Sequence, residues 1–341
     1  MNLIEKQIKK QGWVLADGAT GTNYFLRGLE SGHPPELWCE EKPSEVIRLH
    51  KLFLDAGCDI ILTNSFGCNS SRLKLHNCEK RVNELNLLAA KLAIQAINEY
   101  WDETGEKKAV AGSMGPTGEL FSPLGTLTAN EAVQIYSEQA ESLAEGGVDL
   151  IWIETISSLE EVDAAISAAK ATGLPIIATM TFDTAGKSMM GISPSGYASH
   201  MSKNGVYAFG ANCGLGPAEM IDSIMGMKGP SNLHIVAKGN CGIPQFHKGS
   251  IEYPVTPHAM GLYAKFARDS GATIIGGCCG TTPKHIAVMK KALACSAKNE
   301  TLNQKELDKT FGKAWPNMKL NRNNKARHNR RSKIKFKTIE R

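Results

Sequence analysis

Short β-branched and apolar runs alternate along the chain with helix-length amphipathic stretches, a switch of period that separates strands from helices. Strands are predicted at residues 13–17, 60–64, 109–113, 150–154, 176–182, 206–211, 234–238 and 273–277. Helix starts are marked between them. Thr128 with Glu131 and Ser158 with Glu161 read as capping boxes, and Thr256-Pro257 and Thr282-Pro283 place proline at the first helical position. The helix after Thr128 shows a buried stripe at Ala132, Val133, Tyr136, Ala140, Leu143 and Ala144 and stops at Gly146-Gly147. Eight consecutive β-then-α units predict an α/β fold, a (β/α)8 barrel of the TIM type. A doubly wound open sheet fits less well, because the turn after the first run is Asp17-Gly18-Ala19-Thr20-Gly21-Thr22 and carries no GxGxxG.

A barrel directs attention to the C-terminal ends of its strands, where chemistry is placed. Those ends read Asp17-Gly18, Thr63-Asn64, Ser113, Glu154, Thr181 to Asp183, Asn212-Cys213, Lys238 and Gly276-Gly277-Cys278-Cys279-Gly280. Nearly all are polar, small or sulfur-bearing, as an active-site mouth requires. Adjacent cysteines on a regular strand point to opposite faces, so Cys278 and Cys279 share a site only if the flanking glycines let the backbone leave strand geometry. Cys213, at the end of the sixth strand, is the natural third ligand of a zinc site with one open position. Cys241 lies three residues past its strand end and is left unliganded, and Cys39, Cys58, Cys68, Cys78 and Cys295 read as small buried hydrophobes.

Composition changes this picture little. The chain has 341 residues, 42% hydrophobic and 21% charged, enough for a large core. Nine unevenly spaced cysteines argue against a disulfide scaffold, and no signal-peptide pattern or bilayer-length apolar run is present, so a cytoplasmic location is expected. The formal charge of +5 is uneven: residues 321–341 hold nine Lys or Arg against Glu340, and residues 1–320 carry a net of −3. The expected organisation is a barrel over residues 1–295 and a C-terminal extension over 296–341, basic and flexible from about 321, with the part after Leu320 dispensable for zinc binding and catalysis. A zinc-containing nucleic-acid-binding protein acting through that tail is the reading from another class, but the cysteines lie far from it and lack paired CxxC spacing. A phosphate-binding barrel lyase or isomerase leaves the cysteine trio unexplained.

The strand-end motifs, together with Thr63-Asn64-Ser65-Phe66, Gly115-Pro116-Thr117-Gly118, Glu154-Thr155 and Asn212-Cys213-Gly214, resemble the homocysteine S-methyltransferase family over residues 11–294. The resemblance implies a zinc-dependent barrel that methylates the thiolate of homocysteine to give methionine. It implies Zn2+ on Cys213, Cys278 and Cys279, the homocysteine backbone on Asp17, Gly18 and Thr63, and its ammonium group on Glu154. A triply thiolate-bound zinc carries a formal −1 and still takes a thiol as thiolate, so no further catalytic base is required. The run of the chain, including Pro35-Glu36-Leu37-Trp38, is most similar to bacterial betaine–homocysteine methyltransferases. Glycine betaine is therefore the expected donor, with Trp38 and Phe66 as a partial cation-π cage. The alternatives are another onium donor such as S-methylmethionine, or a role as the homocysteine-activating subunit of a corrinoid-dependent methionine synthase. The expected partners are small molecules, with no membrane, and a homo-oligomer is compatible.

Overall fold

The computed structural model describes residues 3–229, 233–247, 250–299 and 302–316. Within them, eight parallel strands form the wall of a barrel: β1 (Val14–Leu15), β2 (Ile60–Leu62), β3 (Ala109–Met114), β4 (Leu150–Ile156), β5 (Ile176–Met180), β6 (Ala208–Cys213), β7 (His234–Gly239) and β8 (Ile274–Gly277). They pair in chain order from β2 to β8, β8 pairs with β1, and an Ala16–Ile60 bridge joins β1 to β2. This is the expected (β/α)8 barrel. The expected runs fall on the observed strands, with β4 reaching Ile156 and β6 reaching Cys213.

Alternation along the strands separates two cores. Inward residues such as Val14, Ile60, Leu62, Ala109, Ala111, Leu150, Trp152, Ile177, Ala208 and Val236 fill the barrel, where the small residues of β3 and β6 leave space for the Trp152 indole. Ile4 and Ile8, one turn apart on the helix Leu3–Gln11, pack into the same cluster and close the N-terminal end. Outward residues such as Val110, Ile151, Ile153 and Phe209 pack against the surrounding helices.

The helix signals hold with one correction. Thr128 and Glu131 form the reciprocal box at the start of Ala129–Glu145. Ser158 caps Leu159–Lys170, but Glu161 does not reach back to complete a box. Its Oε1 instead accepts hydrogen bonds from the Thr117 backbone N–H, the Thr117 hydroxyl and the Tyr136 hydroxyl, because burial makes a carboxylate collect donors. Cys39, Cys58 and Cys68 are buried as expected, whereas Cys78 is partly exposed and Cys295, following the last barrel helix, is exposed.

The first residues after the last barrel helix, Pro283–Ala294, pack back onto the barrel. Arg268, buried, donates from Nη1 to the Ser296 carbonyl at 2.6 Å and from Nη2 to the Ala297 carbonyl at 2.8 Å. The helix Gln304–Phe311 then packs back, with Leu307 buried and Phe311 edge-on to Phe266. Trp315 Nε1 donates to Asp222 at 2.9 Å. The early part of the extension is thus joined to the barrel. The basic run expected to be flexible lies outside the described residues. No helix among the described residues is long and apolar enough to cross a membrane.

His50, on the helix Pro43–Asp55, is buried with no hydrogen-bond partner for Nε2. Burial alone pushes its imidazole down to about 4. The unfolded chain takes up a proton near pH 6.5 that the folded chain refuses, so stability present above that pH is lost as the pH falls toward 4, by about 3 kcal/mol in total. Urea titrations across this range should show that His50→Leu removes that part of the slope. An unchanged slope would assign it to other groups.

Candidate metal centre and substrate pocket

Three sulfurs meet at the C-terminal mouth of the barrel, from strands that are not neighbours. Cys213 ends β6, and the chain turns away at once through Cys213 at φ 61° and Gly214 at φ 77°. Cys278 and Cys279 follow β8. The Cys278 N–H still donates to the Gly239 carbonyl of β7 at 2.8 Å, whereas that of Cys279 donates to the Asn240 side chain at 2.9 Å. The backbone therefore leaves the ladder between the two cysteines, as a shared site demands. Gly280 makes the exit at φ 80°, and a Cβ there would collide with the Tyr253 ring. The three ligand atoms all lie within 4.8 Å of one another, with Cys213 Sγ and Cys279 Sγ 3.9 Å apart. Cys241 is outside this cluster; its sulfur is 3.2 Å from the Thr281 hydroxyl.

The donor set fits a thiophilic cation. The Cys213 thiol is pushed up to about 12: its hydrogen bond with Cys278 favours the thiolate, but the bond with Cys279 and burial outweigh it. Cys278 is raised through its bond with Cys213 and by burial. Such thiols keep their protons at neutral pH unless a metal replaces them. All three also line a cavity of about 440 Å³, which leaves an open side for a fourth ligand.

Glu154, in the cavity wall, is presented by a local break in β4. The β4–β5 register shifts between Ile153 and Ile156, and Thr155 sits at φ 65°, a costly conformation for a β-branched residue. The Asn212 side chain holds it there: Oδ1 accepts the Thr155 N–H at 2.8 Å and Nδ2 donates to its hydroxyl at 2.7 Å. The residue before Cys213 thus clamps the residue after Glu154. The Ser113 hydroxyl donates to Glu154 Oε1 at 2.6 Å and orients the carboxylate.

Of the expected substrate residues, Gly18, Glu154 and Phe66 line the cavity, while Asp17, Thr63 and Trp38 do not. Asp17 is buried behind the wall, accepting the Leu62 N–H at 2.8 Å and lying 3.2 Å from the Lys238 ammonium. The Thr63 hydroxyl accepts the Ser113 N–H at 2.9 Å and lies 2.6 Å from the Ser65 hydroxyl. Both brace strand ends. Trp38 is a correction to the donor cage: it is 2% exposed, its ring lies 5.0 Å from that of Tyr24, and Lys42 Nζ stands over it at 4.3 Å. The turn Pro35–Leu37 sends Trp38 into the core and Glu36 to the cavity, where its Oε1 accepts the Gly67 N–H at 2.6 Å.

Sequence reasoning gave no role to Lys238, Glu36, Arg72 or Phe25, which also line the cavity. Lys238 carried a signal, a lysine closing an apolar strand. Burial works against its charge, but Asp17 and Glu154 overcome that and hold its pKa above the usual lysine value.

Residues 14–293 match the family model described as homocysteine S-methyltransferase. The chain belongs to the homocysteine S-methyltransferase family. It is 30% identical over 302 residues to the methionine synthase of Mycobacterium tuberculosis and 29% identical over 296 residues to that of Mycobacterium leprae. These matches take in 84% and 82% of the chain, which spans about a quarter of the length of those relatives (25% and 24%). Among solved structures, the homocysteine methyltransferase MmuM of Escherichia coli in its metallated form has a TM-score of 0.73 at 23% identity, covering 85% of this chain and 99% of that one. Its oxidised form gives 0.72 at the same identity and coverage. At that identity the likeness establishes the shared barrel fold.

In this family member, Asn212→Ala should release Thr155 and strand two of its polar groups. Loss of a buried amide with two hydrogen bonds is worth about 2 kcal/mol. A urea midpoint equal to that of the wild type would show that Thr155 is held by other contacts.

Proposed function

We propose that the protein transfers a methyl group to the thiolate of homocysteine, giving methionine, at a zinc ion held by Cys213, Cys278 and Cys279. The observation that carries this reading is the convergence of three thiols on the open side of a cavity that also presents a buried carboxylate, Glu154. Zinc bound by three thiolates would supply thiol activation, holding the substrate sulfur as thiolate at neutral pH.

The chain's own residues then bind and orient. Glu154, fixed by Ser113, takes the substrate ammonium group in a charge-assisted pair, which a buried carboxylate at a cavity wall favours. Gly18 lines the cavity and offers backbone to the substrate, a glycine being required there by the Thr281 carbonyl and Phe53 ring that a Cβ would strike, and Asp17 and Thr63 support it from behind the wall. The donor we propose is glycine betaine. With Trp38 in the core, Phe66 and Phe25 are the aromatic faces of the cavity, Glu36 adds a carboxylate for the onium end, and Arg72 provides a cation for the carboxylate end. Attack by the thiolate cancels the onium charge, so a strong aromatic box would favour the ground state, and a partial one suits the reaction.

A second reading is favoured by the methionine synthases, of which this chain spans about a quarter. On it, a corrinoid protein brings the methyl group to the barrel mouth. The exposed apolar residues Leu26, Leu124 and Met189 lie in loops that follow β1, β3 and β5 and would meet such a partner.

Purified protein given homocysteine and glycine betaine should form methionine and dimethylglycine. Methionine that appears only after a methylated corrinoid protein is added would transfer the assignment to the second reading, and none with any donor would reject the function. Cys213→Ala, Cys278→Ala and Cys279→Ala should each lose stoichiometric zinc, measured by atomic emission, together with activity. Full zinc and activity in any one of them would break the ligand set. Glu154→Gln should keep zinc and lower kcat/KM for homocysteine by about tenfold to a hundredfold, the weight of one charge-assisted hydrogen bond. An unchanged kcat/KM would make Glu154 structural.

A further inference from the structure

The proposed reaction leaves Lys238 without a role, although its position is unusual. It stands on β7, between the two strands that lead to the cysteines, in register with Asn212 of β6 and Gly276 of β8. Its stem turns inward over Gly276, where a Cβ would stand 3.1 Å from Lys238 Cγ. The side chain is only 3% exposed, with its ammonium 3.2 Å from Asp17 Oδ1 and 3.5 Å from the Gly18 carbonyl. The Trp152 ring lies below it, 5.9 Å from Nζ. Yet Lys238 reaches the cavity that the three cysteines line.

The groups facing it are acidic or become negative when a metal binds. The ionisable groups acting on the ammonium are Asp17 at the end of β1, Glu154 on β4 and Cys278 after β8. Burial raises the pKa of Asp17, and the Lys238 ammonium is the first opposing influence that keeps it a carboxylate; Glu154 adds a second acidic side chain to this wall. Three thiols that exchange their protons for one divalent cation add a further −1, and a substrate thiolate adds another. In a buried site like charges raise one another's energy more than they do in water.

We propose that Lys238 is an electrostatic positioning residue, tethered by Asp17, whose buried ammonium group supplies the positive charge against which the thiolates of Cys213, Cys278 and Cys279, and then that of the substrate, are held. This deepens the function proposed above and rests on its metal site. Asp17 acquires a function with it, since its carboxylate fixes the lysine and does not itself meet the substrate.

The test uses Zn2+ alone as the probe, in competition with a chromophoric chelator, on the full chain at neutral pH. Lys238→Met should weaken zinc binding on the order of tenfold to a hundredfold, the scale set by removing one buried charge beside another. Lys238→Arg, which keeps the charge, should bind within about threefold of the wild type by the same reasoning. Circular dichroism of the metal-free proteins establishes folding. If Lys238→Met does not fold, Lys238→Gln carries the measurement, since its amide can still donate to Asp17. A folded Met or Gln variant with wild-type zinc affinity would overturn the proposal, as would a folded Arg variant as weak as Met. A wild-type protein that takes up no zinc would overturn instead the metal site on which the proposal stands.

Discussion

Three sulfurs from two strands separated by a third must come together at one end of the barrel, and the local irregularities of the site follow from that requirement. A regular parallel ladder would point Cys278 and Cys279 to opposite faces. The structure resolves this by ending the β8 ladder at the cysteines and passing the second one's N–H to the Asn240 side chain. On the other side Cys213 takes up a left-handed conformation that an unbranched side chain adopts at a cost. Such strain persists only where the surroundings hold it, and here the Asn240 side chain donates to the carbonyl of the next residue, Gly214, at 2.6 Å.

The clamp by Asn212 links this strain to the substrate side. One amide holds Thr155 in its left-handed conformation, and that conformation presents Glu154 to the cavity, so the residues flanking Cys213 and the carboxylate are fixed together. The same economy joins Ser113, whose backbone N–H meets Thr63 and whose hydroxyl meets Glu154. Asp17 and Lys238 form the lower layer of the arrangement. A buried lysine paired with one carboxylate and facing another is expensive to build, which is what the proposed charge-balancing role of Lys238 addresses.

Periodicity exposed the barrel because strand and helix repeats differ, and the glycine-flanked cysteines were legible because their spacing makes sense only as a shared site. Glu154 was legible for a similar reason, a carboxylate ending a buried run. Trp38 was not, since nothing local says which way a short turn after Pro35 will aim it, and the ring of Tyr24 that receives it comes from another segment. Asp17 and Thr63 sit at the right strand ends, but their side chains are committed to protein partners, Leu62 and Lys238 for Asp17 and Ser65 and Ser113 for Thr63. Leu3–Gln11 and Gln304–Phe311 each bury a narrow face, too few apolar positions to stand out against their charged neighbours.

The central claim is that the homocysteine sulfur completes a site of three cysteine thiolates. X-ray absorption at the zinc edge measures it most directly, on the zinc-loaded protein with and without homocysteine. Three sulfur ligands and one lighter ligand are expected in the free protein, changing to four sulfurs when homocysteine is added. A sulfur count that does not rise with homocysteine, or a free site with fewer than three sulfurs, would contradict it.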